Sequence, residues 1–212
     1  MAAYLITGPS GSGKTSIGIE LLRRGYNVIE TDSKFGYLAN RKTEAPVDYP
    51  GVKKITPEWY KINGWIWNRQ KIEKYLNSCK QNIIFFCGAA DNEHLFYHQF
   101  DRVFFLNVDQ KALINRLTDR NSSYNNPTFI ELSLIELKSY VKKAKFYNNM
   151  VMIRTDQCSV KDSTNAILTH IDENLIDILV RLINYLTKYR ILKRKIIKIT
   201  RRLNIYGFRF ER

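Results

Sequence analysis

The sequence predicts an α/β fold in which a parallel sheet lies between two layers of helices, and three observations support this prediction. Short apolar runs enriched in β-branched and aromatic residues recur along the chain as far as Ile153. Between them lie stretches whose apolar residues repeat every three or four positions, as on one face of a helix. A glycine-rich turn directly follows the first apolar run. Alternating strands and helices of this kind are typical of a parallel sheet with helices on both faces.

Each element of this fold is assigned from its local pattern. The predicted strands are residues 3–7, 27–30, 83–87, 103–106 and 151–153. The predicted helices are residues 15–24, 67–78, 94–99, 110–119, 129–145 and 159–171. Asp109 is placed to cap the fourth helix, and Ser159 with Asp162 three positions later is a predicted capping box for the last. The length of 212 residues suits one such domain, predicted as residues 1–172, and an appendage, predicted as residues 173–212.

The turn after the first strand fits the phosphate-binding pattern G-x-x-x-x-G-K-[ST] at every fixed position. Its residues, predicted to bind a nucleotide, are Gly8, Pro9, Ser10, Gly11, Ser12, Gly13, Lys14 and Thr15. Glycines let the backbone curl so that successive N–H groups point at phosphate oxygens, at the positive end of the following helix. In this pattern the lysine reaches the β- and γ-phosphates and the threonine hydroxyl ligates Mg²⁺. The sequence therefore predicts binding of ATP with Mg²⁺, although the loop alone does not distinguish ATP from GTP.

Between residues 33 and 65 neither the strand period nor the helix period continues, and glycines and prolines interrupt the sequence. A loop of this length in a compact domain is often functional, and this one leaves the carboxyl end of a strand, where open α/β sheets bind ligands. We therefore predict that this irregular segment binds the second substrate. The aromatic residues in and next to it have two interpretations, stacking on a base or packing the segment onto the sheet. They are Phe35, Tyr37, Tyr49, Trp59, Tyr60, Trp65 and Trp67.

Cysteine usage and hydropathy indicate the compartment. Cys79, Cys87 and Cys158 have no metal-type spacing, and Cys87 lies inside an apolar run, where it is predicted to be a core residue. These features favour a reducing, cytoplasmic location. No stretch approaches the roughly 20 apolar residues of a membrane span, so no transmembrane segment is predicted. His94 and His98 are four residues apart but lack further ligands, so we prefer a surface or packing role to a zinc site.

Three sequence features together resemble the small P-loop kinases of the adenylate kinase, shikimate kinase and gluconate kinase type, over about residues 1–171. They are the phosphate-binding loop, the acidic turn Thr31-Asp32-Ser33 after the second strand, and Arg116 and Arg120 at the end of the fourth helix. The resemblance implies a three-layer P-loop NTPase fold with a five-stranded parallel sheet in the order 2-3-1-4-5. It also implies that the acid after the second strand contacts the acceptor or Mg²⁺, and that the arginines belong to a lid over ATP.

The chemistry of phosphoryl transfer agrees with a cationic lid, since it needs positive charge around the transferring group. Lys14, Arg116 and Arg120 are the predicted cations, with the polar residues 121–126 as a mobile lid. Arginines four apart on a helix project from one face and converge on phosphate oxygens. The alternative is a solvated helix face.

The reaction also needs a group that orients the acceptor oxygen. Asp32 is the predicted base or acceptor clamp, and together with Thr15 it is a predicted Mg²⁺ ligand; the alternative is a turn cap. The third strand is followed by Gly88-Ala89-Ala90 instead of the acid common in P-loop ATPases. The second anchor of the metal therefore remains open between Asp91, Asp32 and water.

Most of the net charge of +14 lies at the C-terminal end of the sequence. Residues 181–212 contain eleven Lys or Arg and one acid, Glu211, whereas the rest of the chain contains 23 basic and 19 acidic residues. Apolar residues recur every three or four positions from Leu175 to Leu203, which predicts a basic amphipathic helix. Four interpretations remain open for it: contact with nucleic acid, with an anionic membrane surface, with another subunit, or with the chain's own core.

The sequence thus predicts a phosphotransferase that moves the γ-phosphoryl group of Mg-ATP to a small acceptor, namely a nucleoside, a nucleotide or a sugar-like metabolite. A polynucleotide 5′-hydroxyl kinase is one alternative, because it would use the same residues together with the basic extension. An ATP-dependent nucleic-acid-binding or assembly factor, in which nucleotide occupancy switches the contacts of the extension, is the other.

Overall fold

A computed structural model describes residues 2–51, 55–78, 83–119 and 126–171. The basic extension predicted at residues 173–212, Cys79, Arg120 and residues 121–125 of the predicted lid lie outside these ranges. Contacts within the chain divide it into one unit of Met1–Ile167 and a second of Leu168–Arg212. The sheet and the phosphate-binding loop belong to the first unit.

Five parallel strands form the main sheet. In chain order, the strands of the protein are β1 (Ala2–Thr7), β2 (Asn27–Glu30), β3 (Gly36–Asn40), β4 (Asn63–Trp67), β5 (Ile83–Cys87), β6 (Arg102–Asn107) and β7 (Met150–Arg154). The main sheet has the order β2-β5-β1-β6-β7, and each of its pairings is parallel. Counted within this sheet alone, the order is 2-3-1-4-5, as predicted. The five predicted strands are confirmed with ends that differ by at most one residue.

Helices cover both faces of the sheet. They are α1 (Lys14–Arg23), α2 (Thr31–Lys34), α3 (Pro57–Ile62), α4 (Arg69–Ser78), a 3₁₀ helix (Glu93–Gln99), α5 (Gln110–Thr118), α6 (Pro127–Lys143) and α7, which begins at residue 160. The Asp109 side chain accepts hydrogen bonds from the Lys111 and Ala112 N–H groups, which confirms it as the cap of α5. The Asp162 N–H donates to Ser159 Oγ at 3.1 Å, as the predicted cap of α7 requires. None of the described helices is long and apolar enough to cross a membrane.

Two clusters of buried side chains pack helices against the same face of the sheet, since Val103 of the first and Phe105 of the second are two residues apart on β6. The first joins the sheet to α4 and the 3₁₀ helix, and includes Leu5, Phe35, Trp67, Ile72, Leu76, Ile84, Phe86 and Phe96. The second joins β6 to α5 and α6, and includes Phe105, Leu113, Leu117, Leu137 and Tyr140. Removing this apolar surface from water is the main favourable contribution to folding. Cys87 is buried, as predicted.

The segment 33–65 is more regular than predicted. β3 and β4 pair antiparallel as a separate two-stranded sheet, with Gly36 opposite Trp67 and Asn40 opposite Asn63. Glycine and asparagine at strand ends have low strand propensity, which explains why the sequence pattern did not reveal these strands. The predicted start of the second helix at residue 67 was also wrong, because Trp67 ends β4 and α4 begins at Arg69.

The loop after β5 attaches this small sheet to the main domain. The Asp91 N–H donates to the Trp65 carbonyl oxygen at 2.8 Å. The Asn92 side chain accepts from the Trp67 N–H and donates to the Trp67 carbonyl oxygen, both at 2.9 Å. Because Asn92 and Trp67 are buried, water does not replace these bonds. β4 is therefore held by backbone and side-chain hydrogen bonds to residues 91 and 92.

Replacing Asn92 tests this attachment. The Asn92→Ala variant leaves the buried N–H and carbonyl groups of Trp67 without partners, so we expect the free energy of unfolding to fall by about 2–4 kcal/mol. Urea denaturation measures it. Asn77→Ala, at an exposed position of α4, is the matched control and should leave the free energy unchanged. Equal stabilities of the two variants would contradict the attachment.

Candidate active site

The turn between β1 and α1 has the curled conformation that a phosphate-binding loop needs. Gly11 and Gly13 have φ values of +84° and +108°, which favour glycine. A Cβ atom on Gly11 would lie only 3.0 Å from Leu113 Cδ1, so the loop also packs closely on α5. Gly13 caps α1 without a side-chain hydrogen bond, which leaves the N–H groups of the first turn for an anion.

The Lys14 side chain folds back over this loop. Its Nζ donates to the carbonyl oxygens of Gly8 at 2.6 Å and Pro9 at 3.1 Å. These bonds keep the ammonium group on the loop that is predicted to hold the phosphates. Its positive charge is therefore positioned before any ligand binds.

Arg116 and Thr155 hold the loop from its outer side. Thr155 Oγ1 donates to the Ser12 carbonyl oxygen at 2.9 Å. Arg116 Nη1 donates to the Gly11 carbonyl oxygen at 3.3 Å, and Nη2 donates to the Thr155 carbonyl oxygen at 2.6 Å. The guanidinium of Arg116 thus connects the loop to Thr155, the residue after β7. The role of Arg116 and Arg120 in a lid stays a prediction, since Arg120 lies outside the described residues.

A cavity of about 390 Å³ opens in front of the loop. Its lining residues are Ser10, Gly11, Gly13, Lys14, Thr15, Glu30, Asp32, Ser33 and Trp65. Six site residues predicted from the sequence therefore line one space, namely Ser10, Gly11, Gly13, Lys14, Thr15 and Asp32. Arg116 does not line it.

Asp32 reaches this cavity from the first turn after β2. Its Oδ1 accepts a hydrogen bond from the Ala89 N–H at 3.1 Å and a longer one from Thr31 Oγ1 at 3.4 Å. Both of these donors reach the same oxygen, so the described part of the chain leaves Oδ2 with lone pairs for a ligand. Burial raises the pKa of the Asp32 carboxyl, and the nearby Lys14 ammonium opposes that increase.

Gly88 explains why no acid follows β5. A Cβ atom on Gly88 would overlap Thr31 Oγ1 and Asp32 Oδ1. The carboxylate of Asp32 thus occupies the space beside this strand end that a side chain at position 88 would need. The acid of the cavity comes from the end of β2, while the end of β5 contributes glycine and backbone N–H groups.

Asp91 forms an ion pair in place of a cavity contact. Its Oδ2 lies 2.8 Å from Arg41 Nε, and its carbonyl oxygen lies 3.2 Å from His94 Nδ1. Of the two carboxylates left open as a second Mg²⁺ anchor, Asp32 lines the cavity and Asp91 does not. Thr15 and Asp32 both line the cavity, and their hydroxyl and carboxylate oxygens are of the type that suits Mg²⁺; their role as metal ligands stays a prediction.

Sequence analysis missed Glu93 as a residue of the site. Its carboxylate is fully buried and accepts hydrogen bonds from Thr7 Oγ1 at 2.8 Å, the Ala90 N–H at 3.1 Å and the Tyr97 hydroxyl at 2.5 Å. Burial raises the pKa of Glu93, and these hydrogen bonds oppose the increase. The signal in the sequence was an acid four residues before Tyr97, so that the two side chains lie on one side of a short helix.

The aromatic residues near the cavity divide between the two predicted roles. Phe35 and Trp67 belong to the buried core, so the packing interpretation is confirmed for them. Trp65 is 41% exposed and lines the cavity. Of the predicted stacking residues, Trp65 is thus the one placed to meet a ligand in the cavity.

Replacing Arg116 distinguishes a role in holding the phosphate-binding loop from the predicted role in a lid. Arg116→Ala removes charged donors from two backbone carbonyl groups, so we expect the free energy of unfolding to fall by about 1–3 kcal/mol. Urea denaturation and ATP titration measure the effect. Lys111→Ala, which removes a positive charge from an exposed position of α5, is the control and should have no measurable effect. Unchanged stability of Arg116→Ala with a loss of turnover would assign Arg116 to the lid.

Comparison with known proteins gives one family match and several structural neighbours. The sequence matches the family model described as an AAA domain over residues 5–131. No curated protein matches it significantly. A shikimate kinase from Acinetobacter baumannii, solved with shikimate, is 21% identical with a TM-score of 0.51, and the match covers 82% of this chain and 93% of that one. A sugar kinase from Janibacter sp. is 14% identical with a TM-score of 0.51, covering 81% and 95%.

A gluconokinase from Sinorhizobium meliloti is 16% identical with a TM-score of 0.48, covering 82% of this chain and 95% of that one. At these identities the solved structures show the fold alone, and the first two confirm the fold of small P-loop kinases. The family model spans more than half of the chain and includes the phosphate-binding loop, Asp32 and Arg116. The chain therefore belongs to this AAA-domain family of P-loop proteins.

Proposed function

We propose that the protein transfers the γ-phosphoryl group of Mg-ATP to a hydroxyl group of a small acceptor, which is a nucleoside, a nucleotide or a sugar-like metabolite. One observation supports this proposal above the others: the phosphate-binding loop and a partly desolvated carboxylate, Asp32, face the same cavity. A nucleotide-binding switch needs the loop, but it has no need of a base opposite the loop. The 390 Å³ volume suits a small acceptor beside the phosphates.

Each residue has a proposed part in this reaction. The loop N–H groups and Lys14 bind the phosphates and stabilise their negative charge in the transition state. Asp32 orients the acceptor hydroxyl and takes its proton. Thr15 and Asp32 hold Mg²⁺, which supplies positive charge to the β- and γ-phosphates when bound. Arg116 keeps the loop in place, and Arg120 retains its predicted part in a lid.

Lys14→Ala tests the assignment of the loop. Loss of a charged donor should raise the dissociation constant of Mg-ATP by about 10- to 100-fold and lower product formation by about 100- to 1000-fold. Calorimetry measures binding, and phosphorus NMR detects new phosphate esters over a panel of nucleosides, nucleotides, sugars, small acids and 5′-hydroxyl oligonucleotides. Lys74→Ala, at an exposed position of α4, should behave like the wild type. Release of ADP without a phosphorylated acceptor in any sample would contradict a kinase.

The raised pKa of Asp32 predicts how the rate depends on pH. A base must be ionised, so kcat/KM should fall as the pH decreases through the pKa of Asp32. The profile is measured between pH 4 and pH 9 at saturating Mg-ATP. Asp32→Asn should lower the rate by about 100- to 10,000-fold and remove this acidic limb from the residual activity. The same acidic limb in both proteins would contradict the role of Asp32 as the base.

A further inference from the structure

The wall of the cavity opposite the phosphate-binding loop has a distinctive chemistry. It consists of two carboxylates, a hydroxyl and an indole ring, contributed by Glu30, Asp32, Ser33 and Trp65. Among the described residues that line the cavity, Lys14 is the only cation, and it lies on the phosphate side. The acceptor side is therefore negatively charged and partly aromatic.

Trp65 is fixed in place although its ring is exposed. Its backbone carbonyl oxygen accepts a hydrogen bond from the Asp91 N–H, and a Cβ atom on Gly36 would overlap its indole ring. Its neighbours on β4, Gly64 and Ile66, are buried. An exposed indole that is held by its backbone gives a flat apolar surface at low entropic cost.

Arg41, the arginine that pairs with Asp91 beside β4, does not line the cavity. Arg41 Nε lies 2.8 Å from Asp91 Oδ2, and the pair lies against Gly64, where a Cβ atom would come within 2.6 Å of Arg41 Nε. Glu136 on α6 interacts with the same group of charges. Lys14, Arg41 and Asp91 are among the charges that act on its carboxylate.

From this arrangement we infer that the acceptor is a hydroxyl compound without phosphate or carboxylate groups, and that one flat face of it stacks on Trp65. A nucleoside or an uncharged or cationic sugar derivative has this chemistry. Its hydroxyl groups donate to Glu30 and Asp32, which accept hydrogen bonds but repel an anion. The inference rests on the proposed phosphotransferase function and narrows the class of acceptor.

The reaction on such an acceptor balances without further reactants. The acceptor hydroxyl oxygen forms a bond to the γ-phosphorus while the bond from that phosphorus to the bridging oxygen of ADP breaks. The hydroxyl proton passes to the Asp32 carboxylate. The products are the phosphate ester and ADP.

Matched pairs of acceptors test the inference. Each pair keeps the primary hydroxyl group and differs in one anionic group: a nucleoside with its 3′-monophosphate, and glucose with glucose 1-phosphate. Phosphorus NMR measures product formation from Mg-ATP by the full-length protein. For at least one pair, we expect kcat/KM of the uncharged member to exceed that of the anionic member by at least about 10-fold.

Failure of the inferred acceptor class and failure of the proposed function give different results. Anionic members that react as fast as their uncharged partners, or faster, overturn the inference and leave the phosphotransferase in place. The absence of product from every compound, while Mg-ATP still binds in a Lys14-dependent manner, overturns the proposed function and the inference with it.

Variants test the two residues that carry the inference. Trp65→Ala should raise the KM of the acceptor by at least about 10-fold, since base–aromatic or sugar–aromatic stacking is lost, and leave the KM of ATP unchanged. Trp65→Phe should restore most of the affinity. Trp59→Ala, outside the cavity, is the matched control. An unchanged acceptor KM in Trp65→Ala overturns the stacking.

Glu30→Lys replaces a negative charge with a positive charge on the cavity wall opposite the phosphate-binding loop. The ratio of kcat/KM between uncharged and anionic members should fall by at least about 10-fold. Glu131→Lys, at an exposed position of α6, makes the same change of net charge away from the cavity and should leave the ratio as in the wild type. Equal ratios in the two variants overturn the charge selection.

Discussion

Glu93 is fully buried, and its two carboxylate oxygens accept hydrogen bonds from three separate parts of the chain. Thr7, the last residue of β1, directly precedes the phosphate-binding loop, and the Ala90 N–H belongs to the loop after β5. Tyr97 lies on the 3₁₀ helix. A buried carboxylate is tolerated only where donors satisfy it, so its position constrains all three segments at once. The start of the phosphate-binding loop and the loop that positions Asp32 therefore share one anchor.

Neighbouring hydrogen bonds connect Glu93 to the cavity. Glu93 holds the Ala90 N–H, and the preceding Ala89 N–H donates to Asp32. Gly88 gives the Asp32 carboxylate room beside the end of β5. Asp32 is then partly desolvated, which raises its pKa and makes it a better proton acceptor than a solvated carboxylate. A residue outside the cavity thus determines the chemistry of one inside it.

The sequence predicted the parts of this protein that local rules determine. The phosphate-binding loop is contiguous and glycine-dependent, and the five main strands are buried apolar runs, so both were recognisable. Glu93 was not, because its importance depends on Thr7, which is 86 positions away in the sequence. The two-stranded sheet was not predicted for a related reason. Side-chain hydrogen bonds from Asn92 hold β4, and β3, the partner of β4, has weak strand propensity. For Arg116, the resemblance indicated a lid over ATP, which stays a prediction, but it gave no sign of the hydrogen bonds to the Gly11 and Thr155 carbonyl groups, which are 105 and 39 positions away in the sequence.

The loop after β5 contacts both the proposed base, Asp32, and the strand that carries Trp65, β4. Ala89 contacts Asp32, which belongs to the reaction with the phosphates, while Asp91 and Asn92 hold β4, which carries Trp65. Residues 88–93 therefore determine the spacing between the proposed base and the aromatic surface. Because β3 and β4 form a sheet of their own, substitutions on their exposed faces leave the strand pairing of the main sheet unchanged. Because of this separation, the side chains on the cavity wall opposite the phosphate-binding loop can change without a change in the loop itself. In this protein those side chains are carboxylates, a hydroxyl and an indole.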